Sequence, residues 1–180
     1  MSDKTFLRKT LLKKIKSIPL LSRHVKSRRI LRKLSREPVF KRAEHVAFYY
    51  GIAPEVETKL FLRRVLKDKK IYLPRIDPEK SLTLCRVRSL SKDLKKGTYN
   101  IMEPKAFCEK RPVSQMDIII TPGVAFDKSG GRLGRGGGYY DRLFRKAGKV
   151  VKIGLCFREQ IVKKVPMKAH DVRVDRVITD

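Results

Sequence analysis

Residues 121–142 read Thr121-Pro-Gly-Val-Ala-Phe-Asp-Lys-Ser-Gly-Gly-Arg-Leu-Gly-Arg-Gly-Gly-Gly-Tyr-Tyr-Asp-Arg142, and six of the chain's eleven glycines fall between Gly130 and Gly138. An apolar run, Asp117-Ile-Ile-Ile-Thr121, reads as a buried strand before this stretch, and Tyr139-Tyr-Asp-Arg-Leu-Phe-Arg145 reads as a helix after it. Strand, glycine-rich loop and helix start put bare backbone N–H groups at the positive end of a helix, an arrangement that binds phosphate. A plain connector has no need of so many glycines, each of which costs conformational entropy on folding. Two familiar phosphate loops are excluded. Gly134-x-Gly136 is followed by Tyr139 where a dinucleotide loop needs its third glycine, and no Gly-Lys-Ser/Thr occurs in the stretch. What remains is a phosphate loop of another kind, with Arg132 and Arg135 as fixed positive charge and Asp141 as a candidate magnesium ligand. The competing reading is a glycine-rich hairpin with solvated arginines.

The surrounding elements must position this loop. Residues 4–17 repeat Leu7, Leu11, Ile15 and Ile18 at helical spacing, with Ser2 or Asp3 as cap and Pro19 as stop. Lys4 and Arg8, four apart, share one side of that helix. A second amphipathic helix is expected over about 21–35, with Leu21, Val25, Ile30, Leu31 and Leu34 inward and Pro38 beyond its end. His45-Val-Ala-Phe-Tyr-Tyr50 reads as a strand broken by Gly51 and Pro54. Glu55-Val-Glu-Thr58 then leads into a helix through Phe61 and Val65, capped by Thr58. The two acids suit the helix dipole, or one of them points into the cleft at the strand's carboxyl end. Lys70-Ile-Tyr-Leu-Pro74 completes a β-α-β unit and so a parallel sheet. Residues 81–87 alternate as an antiparallel addition, 95–112 read as loop, and 150–157 and 176–179 as strands. Within the loop, Tyr99 either stacks on a flat ligand or packs on the surface. Asp171 is either a turn residue or a carboxylate near a metal. His170 reads as a turn or interface histidine.

Composition narrows the class. The 180 residues suit one domain, 1–180, with a real core, and 41% apolar content argues against disorder. No run of eighteen apolar residues exists, so no membrane span is expected, and the basic N-terminus lacks the apolar core of a secretory signal. Cys85, Cys108 and Cys156 are odd in number and form no C-x-x-C pair. Buried reduced thiols in a cytoplasmic protein are the simplest reading. The net charge of +27 makes a nucleic acid or another polyanion a candidate partner. A lysine-rich surface of the heat-adapted kind usually carries comparable numbers of acids, which this one does not. No nucleophile with a paired base can be read, which suits phosphoryl transfer, where positioning and charge stabilisation dominate.

The run from Gly123 to Arg142 resembles the signature of the 5-formyltetrahydrofolate cyclo-ligase family. Lys4-Thr-Phe-Leu-Arg8, Glu55-Val-Glu-Thr58, Tyr99-Asn-Ile-Met-Glu-Pro104 and the tail His170-Asp-Val-Arg-Val-Asp175 resemble further parts of its pattern. The resemblance implies a three-layer α/β/α architecture with a mixed, mostly parallel sheet, of the NagB/RpiA/CoA-transferase-like kind. It implies ATP and Mg2+, and a reaction in which ATP phosphorylates the N5-formyl oxygen of 5-formyltetrahydrofolate. N10 then attacks, and phosphate leaves to give 5,10-methenyltetrahydrofolate and ADP. It gives Arg135 and Tyr140 catalytic roles, and the nucleotide to Lys4, Arg8, Arg132, Leu133, Gly134, Arg135, Gly136, Gly137, Gly138, Tyr139 and Tyr140. The folate falls to Ile52, Glu57, Tyr99, Arg135 and Tyr139, with Glu57 holding the pterin. Magnesium falls to Asp141 and Asp171. The partners implied are small molecules, the folate polyglutamated or not, on a cytoplasmic monomer. Nucleic acid is not expected on this reading; a basic nucleic-acid-binding protein is the alternative that the charge supports.

Overall fold

Strict alternation along short apolar runs builds a core with two faces. The structure, a computed structural model, describes residues 3–97 and 101–180. Three neighbouring strands, β1 (His45–Ala47), β2 (Lys70–Ile76) and β7 (Ile118–Thr121), send successive side chains to opposite sides. Val46, Ile71, Leu73, Ile118 and Ile120 join one cluster; Ala47, Tyr72 and Ile119 join the other. The first face is covered by α1 (Asp3–Lys16), α2 (Leu20–Arg36), α3 (Pro38–Arg42) and α4 (Lys59–Val65), through Ile15, Ile30, Leu34, Phe40 and Leu62. The second is covered by α5 (Tyr139–Ala147), through Leu143, Phe144 and Ala147. Helices on both faces of one sheet make the expected three layers. Each large side chain buried there contributes about 1.5–3 kcal/mol.

The remaining strands are β3 (Leu82–Val87), β4 (Leu94–Lys96), β5 (Met102–Pro104), β6 (Lys110–Arg111), β8 (Ala125–Phe126), β9 (Arg132–Leu133), β10 (Val151–Leu155) and β11 (Arg176–Ile178). The main sheet runs β11-β10-β7-β1-β2-β3-β6. Pairing is parallel from β11 to β2 and antiparallel from β2 through β3 to β6, so the sheet is mixed and mostly parallel. β1, α4 and β2 form the expected β-α-β unit. β1 ends at Ala47, so beyond Tyr72 the β1 side of β2 has no ladder partner. Pro74 sits on that open side, where a residue without an N–H is tolerated.

Several local expectations are corrected. Residues 95–112 are not simply loop: they hold most of the β4–β5 hairpin and the edge strand β6. Leu21 and Val25 do not face inward; they are 76% and 43% exposed, and Arg23 and Ser27 are buried instead. At about 100° per residue, Leu21 lies opposite Ile30 and Val25 opposite Leu34. Arg23 donates to the carbonyl of Ile18, and Ser27 Oγ accepts the Glu57 N–H, so both polar side chains have work on the inner face. Thr58 does not cap α4 with its side chain. Its hydroxyl donates to the Tyr49 carbonyl and accepts the Gly51 N–H, clasping residues 49–58 into one turn. Ser2 and Tyr99 lie outside the described residues. Among the described residues, no helix is long and apolar enough to cross a membrane.

Candidate active site

The carboxyl ends of β1, β2 and β7 open on a cleft of about 600 Å³, within the range of small-molecule sites. One wall is made by Tyr49, Tyr50, Pro74, Ile76 and Pro122 at these strand ends. The second is the glycine stretch with the start of α5. The third combines α1, through Lys4 and Arg8, with Lys168, His170 and Asp171 of the tail.

The glycine stretch is more ordered than a strand–loop–helix reading allows. After β7 the chain forms the β8–β9 hairpin, and only residues 134–138 link it to α5. Asp127 anchors that hairpin. Its Oδ1 accepts N–H bonds from Ser129 and Gly131 at 2.8 and 2.9 Å, and its Oδ2 accepts the Val165 N–H at 2.8 Å. Gly130 has φ of 80°, and a Cβ there would lie 2.1 Å from the Val174 carbonyl oxygen, so this turn needs glycine. Gly138, at φ of 66°, sits at the N-cap of α5, again in the left-handed region. On the outer side, Leu11 of α1 packs with Ala125, Leu133 and Val165, which seats α1 against the hairpin.

Burial alone would raise the Asp127 carboxyl, but the N–H groups of Val165, Gly131 and Ser129 and the charge of Arg173 hold it below the ordinary value. A carboxyl depressed in the folded state contributes stability above its unfolded pKa, near about 3.9. That contribution fades as pH falls through the folded value. Asp127→Asn is therefore expected to destabilise the protein by about 2–3 kcal/mol at pH 7. The gap to the native chain in denaturant midpoint should shrink below about pH 4.

Several charged residues of the cleft are held in pairs. Arg132, on β9, is buried and reaches Asp141 Oδ2 at 3.0 Å, with its guanidinium over the rings of Tyr140 and Phe144. Burial lowers the basicity of Arg132, and Asp141 opposes that. Arg132 is thus a wall residue that fixes α5. Asp141 Oδ1 accepts the Val172 N–H at 3.2 Å. Lys4 pairs with Asp171, whose carboxylate also accepts the Lys168 N–H. Arg8 Nε donates to the Gly134 carbonyl at 2.9 Å, tying α1 to the glycine loop. Arg135 donates from Nε and from a terminal nitrogen to Glu55 Oε1, at 3.1 and 3.0 Å. Tyr140 is half-buried, and desolvation, with the nearby charge of Glu55, pushes its phenol well up, so it is a neutral donor.

The fold gathers Lys4, Arg8, Ile52, Arg132, Leu133, Gly134, Arg135, Gly136, Gly137, Gly138, Tyr139, Tyr140, Asp141 and Asp171 on this one cleft. Glu57 is not among its lining residues. It pairs with His24 of α2, while its N–H is taken by Ser27; the acid in the cleft is Glu55. Leu82, Ile101, Met102 and Glu103 also line the cleft and were not singled out from sequence as site residues. Met102 and Glu103 lie on a three-residue strand, too short for periodicity to show.

A family model described as the 5-formyltetrahydrofolate cyclo-ligase family matches residues 1–180. The chain belongs to the 5-formyltetrahydrofolate cyclo-ligase family. The 5-formyltetrahydrofolate cyclo-ligase of Haemophilus influenzae is 34% identical over 137 residues, 73% of each chain. That of Mus musculus is 29% identical over 189 residues, covering 98% of this chain and 93% of the mouse protein. The solution structure of Aquifex aeolicus 5,10-methenyltetrahydrofolate synthetase is 36% identical, with a TM-score of 0.88 over 97% of this chain and 88% of that one. The Mycoplasma pneumoniae synthetase, 22% identical with a TM-score of 0.80, shares the fold over 99% of both chains. The cyclo-ligase signature from Gly123 to Arg142 therefore folds as a hairpin, a short glycine loop and a helix start. Its polar ends, Arg135 and Asp141, face the same cleft.

Proposed function

We propose that the protein closes a ring on a folate in this cleft. ATP phosphorylates the oxygen of the N5-formyl group of 5-formyltetrahydrofolate. N10 attacks the activated carbon, and the C–O bond breaks to release phosphate, leaving 5,10-methenyltetrahydrofolate and ADP. The observation that carries this reading is the meeting of Glu55 and Arg135, 80 residues apart in sequence, beside the glycine loop of a full-length family match. Glu55, which lines the cleft where Glu57 does not, accepts paired N–H bonds from the pterin on this reading. Ile52 and Tyr139 flank the flat ring, and Tyr99 stays a candidate for stacking on it. Arg135 and the N–H groups of residues 134–138 stabilise charge on the moving phosphoryl group, and neutral Tyr140 donates a hydrogen bond beside them. Lys4 and Arg8 draw the nucleotide phosphates from the α1 side.

Magnesium fits this donor set only as a companion of the nucleotide. Among the described residues no three His, Cys, Asp or Glu side chains form a metal cluster. Asp141 and Asp171 are each engaged, by Arg132 and Lys4. Magnesium usually keeps several waters and takes one or two carboxylates plus substrate phosphate oxygens; Asp141, with Asp171, would supply the carboxylates. Bound there it would neutralise phosphate charge. The three cysteines are free and buried, which fits a reducing compartment such as the cytoplasm.

The test is direct. Protein mixed with magnesium-ATP and 5-formyltetrahydrofolate is expected to develop the ultraviolet absorption band of the methenyl product, with one ADP per band equivalent. Folded protein that yields no band would end the reading.

A further inference from the structure

Glu55 and Arg135 hold each other, although the reaction proposed above needs each for a different substrate. Both guanidinium contacts go to one oxygen of Glu55, whose side chain is only 16% exposed, whereas that of Arg135 is half exposed. Burial raises the Glu55 carboxyl; the charge and hydrogen bonds of Arg135 oppose this, with the Ile52 N–H behind them. Three other cations on the cleft are engaged elsewhere: Lys4 with Asp171, Arg132 with Asp141, and Arg8 with the Gly134 carbonyl.

Separating Arg135 from this pair is unfavourable, because the Glu55 carboxylate left behind is largely shielded from water and, among the described residues, keeps only the Ile52 N–H. An Arg135 that swings to a phosphate therefore meets that penalty unless something else satisfies Glu55. The paired N–H groups of a pterin would do so. We infer that Glu55 is a positioning residue for Arg135, holding it off the nucleotide until a folate ring takes its place. Nucleotide and folate then bind with positive coupling through this carboxylate. Linkage makes the effect mutual: each ligand tightens the other by the same factor. The device also discourages phosphoryl transfer to water, since Arg135 is released only when the acceptor is in place. This inference rests on the assignment of Glu55 to the pterin and Arg135 to the phosphoryl group.

The test measures binding rather than turnover. The β,γ-imido analogue of ATP, with magnesium, is titrated calorimetrically into the native protein, Glu55→Gln and Arg135→Ala, with and without saturating 5-formyltetrahydrofolate. Thermal unfolding checks that each variant folds. In the native protein, folate is expected to tighten the analogue by about 5- to 150-fold. Glu55→Gln should bind the analogue without folate more tightly than the native protein does without it, with folate adding little. Arg135→Ala should lose the coupling without that gain. Native affinity indifferent to folate, coupling that survives in Arg135→Ala, or no gain in Glu55→Gln would overturn the exchange. Those results would leave ring closure standing wherever the methenyl band forms. Absence of the band would instead remove the assignment underneath.

Discussion

Arg135→Ala should lower kcat by roughly a hundred- to a thousandfold, the effect of removing one donor aimed at charge that develops in a transition state. Arg135 projects from the short link between β9 and α5, in the same cleft as Gly134 and Gly136–138. Its side chain is half exposed and, among the described residues, hydrogen-bonds to Glu55, so truncation removes little packing. Most of the loss should therefore lie in kcat rather than in stability. Arg135→Lys should recover only part of it, because an ammonium cannot present the two-pronged donor geometry seen here. Stopped-flow absorbance of the methenyl product separates the outcomes. A mild effect would move the phosphoryl role to another cation.

The second large effect distinguishes two acids two residues apart. Glu55→Gln should lower kcat/KM for the folate by about 10- to 100-fold, the loss expected when a charged acceptor of hydrogen bonds becomes neutral. Glu57→Gln should change it by no more than about twofold. Glu57 pairs with His24, which is half exposed, and such surface pairs are worth about 0–1 kcal/mol. Steady-state kinetics on the two variants, with unfolding midpoints alongside, would read the contrast. The opposite ranking would return the pterin to Glu57 and leave Glu55 as no more than the tether of Arg135.

These two acids also mark how far sequence can be read. Residue type and position mark one acid of the Glu55-Val-Glu-Thr58 segment as a candidate for the cleft, but which of the two lines it depends on partners far away. His24 and Ser27 on α2 take Glu57, and Arg135 takes Glu55. The sheet is legible because Val46–Ala47, Ile71–Tyr72–Leu73 and Ile118–Ile119–Ile120 are apolar throughout, as strands buried on both faces must be. Lys4 and Arg8 are legible because four residues make about one helical turn. The inner face of α2 is read correctly at Ile30, Leu31 and Leu34 but not nearer its start, where Arg23 and Ser27 turn inward for specific partners while Leu21 and Val25 lie on the far side. The β8–β9 hairpin has two-residue strands, too short to carry a period. Gln160 and Val165 hold it from separate segments, Val165 through Asp127 in the hairpin's own turn, which no local pattern reports. Gln160, for instance, donates to the Gly123 carbonyl at 2.7 Å and accepts the Phe157 N–H at 2.8 Å. Arg132 belongs with these cases. Its place in the glycine run suggests a phosphate ligand, yet the strand it sits on buries it against Asp141.

One cleft is proposed to receive a nucleotide at the glycine loop and a folate at Glu55. Backbone amide spectra of the labelled protein, titrated first with the magnesium β,γ-imido ATP analogue and then with 5-formyltetrahydrofolate, test this most directly. The nucleotide should shift the amides of Gly134, Gly136, Gly137, Gly138 and Tyr139, and the folate those of Ile52, Glu55 and Val56. Nucleotide shifts confined to surfaces away from residues 134–139, or folate shifts that spare residues 52–56, would contradict it.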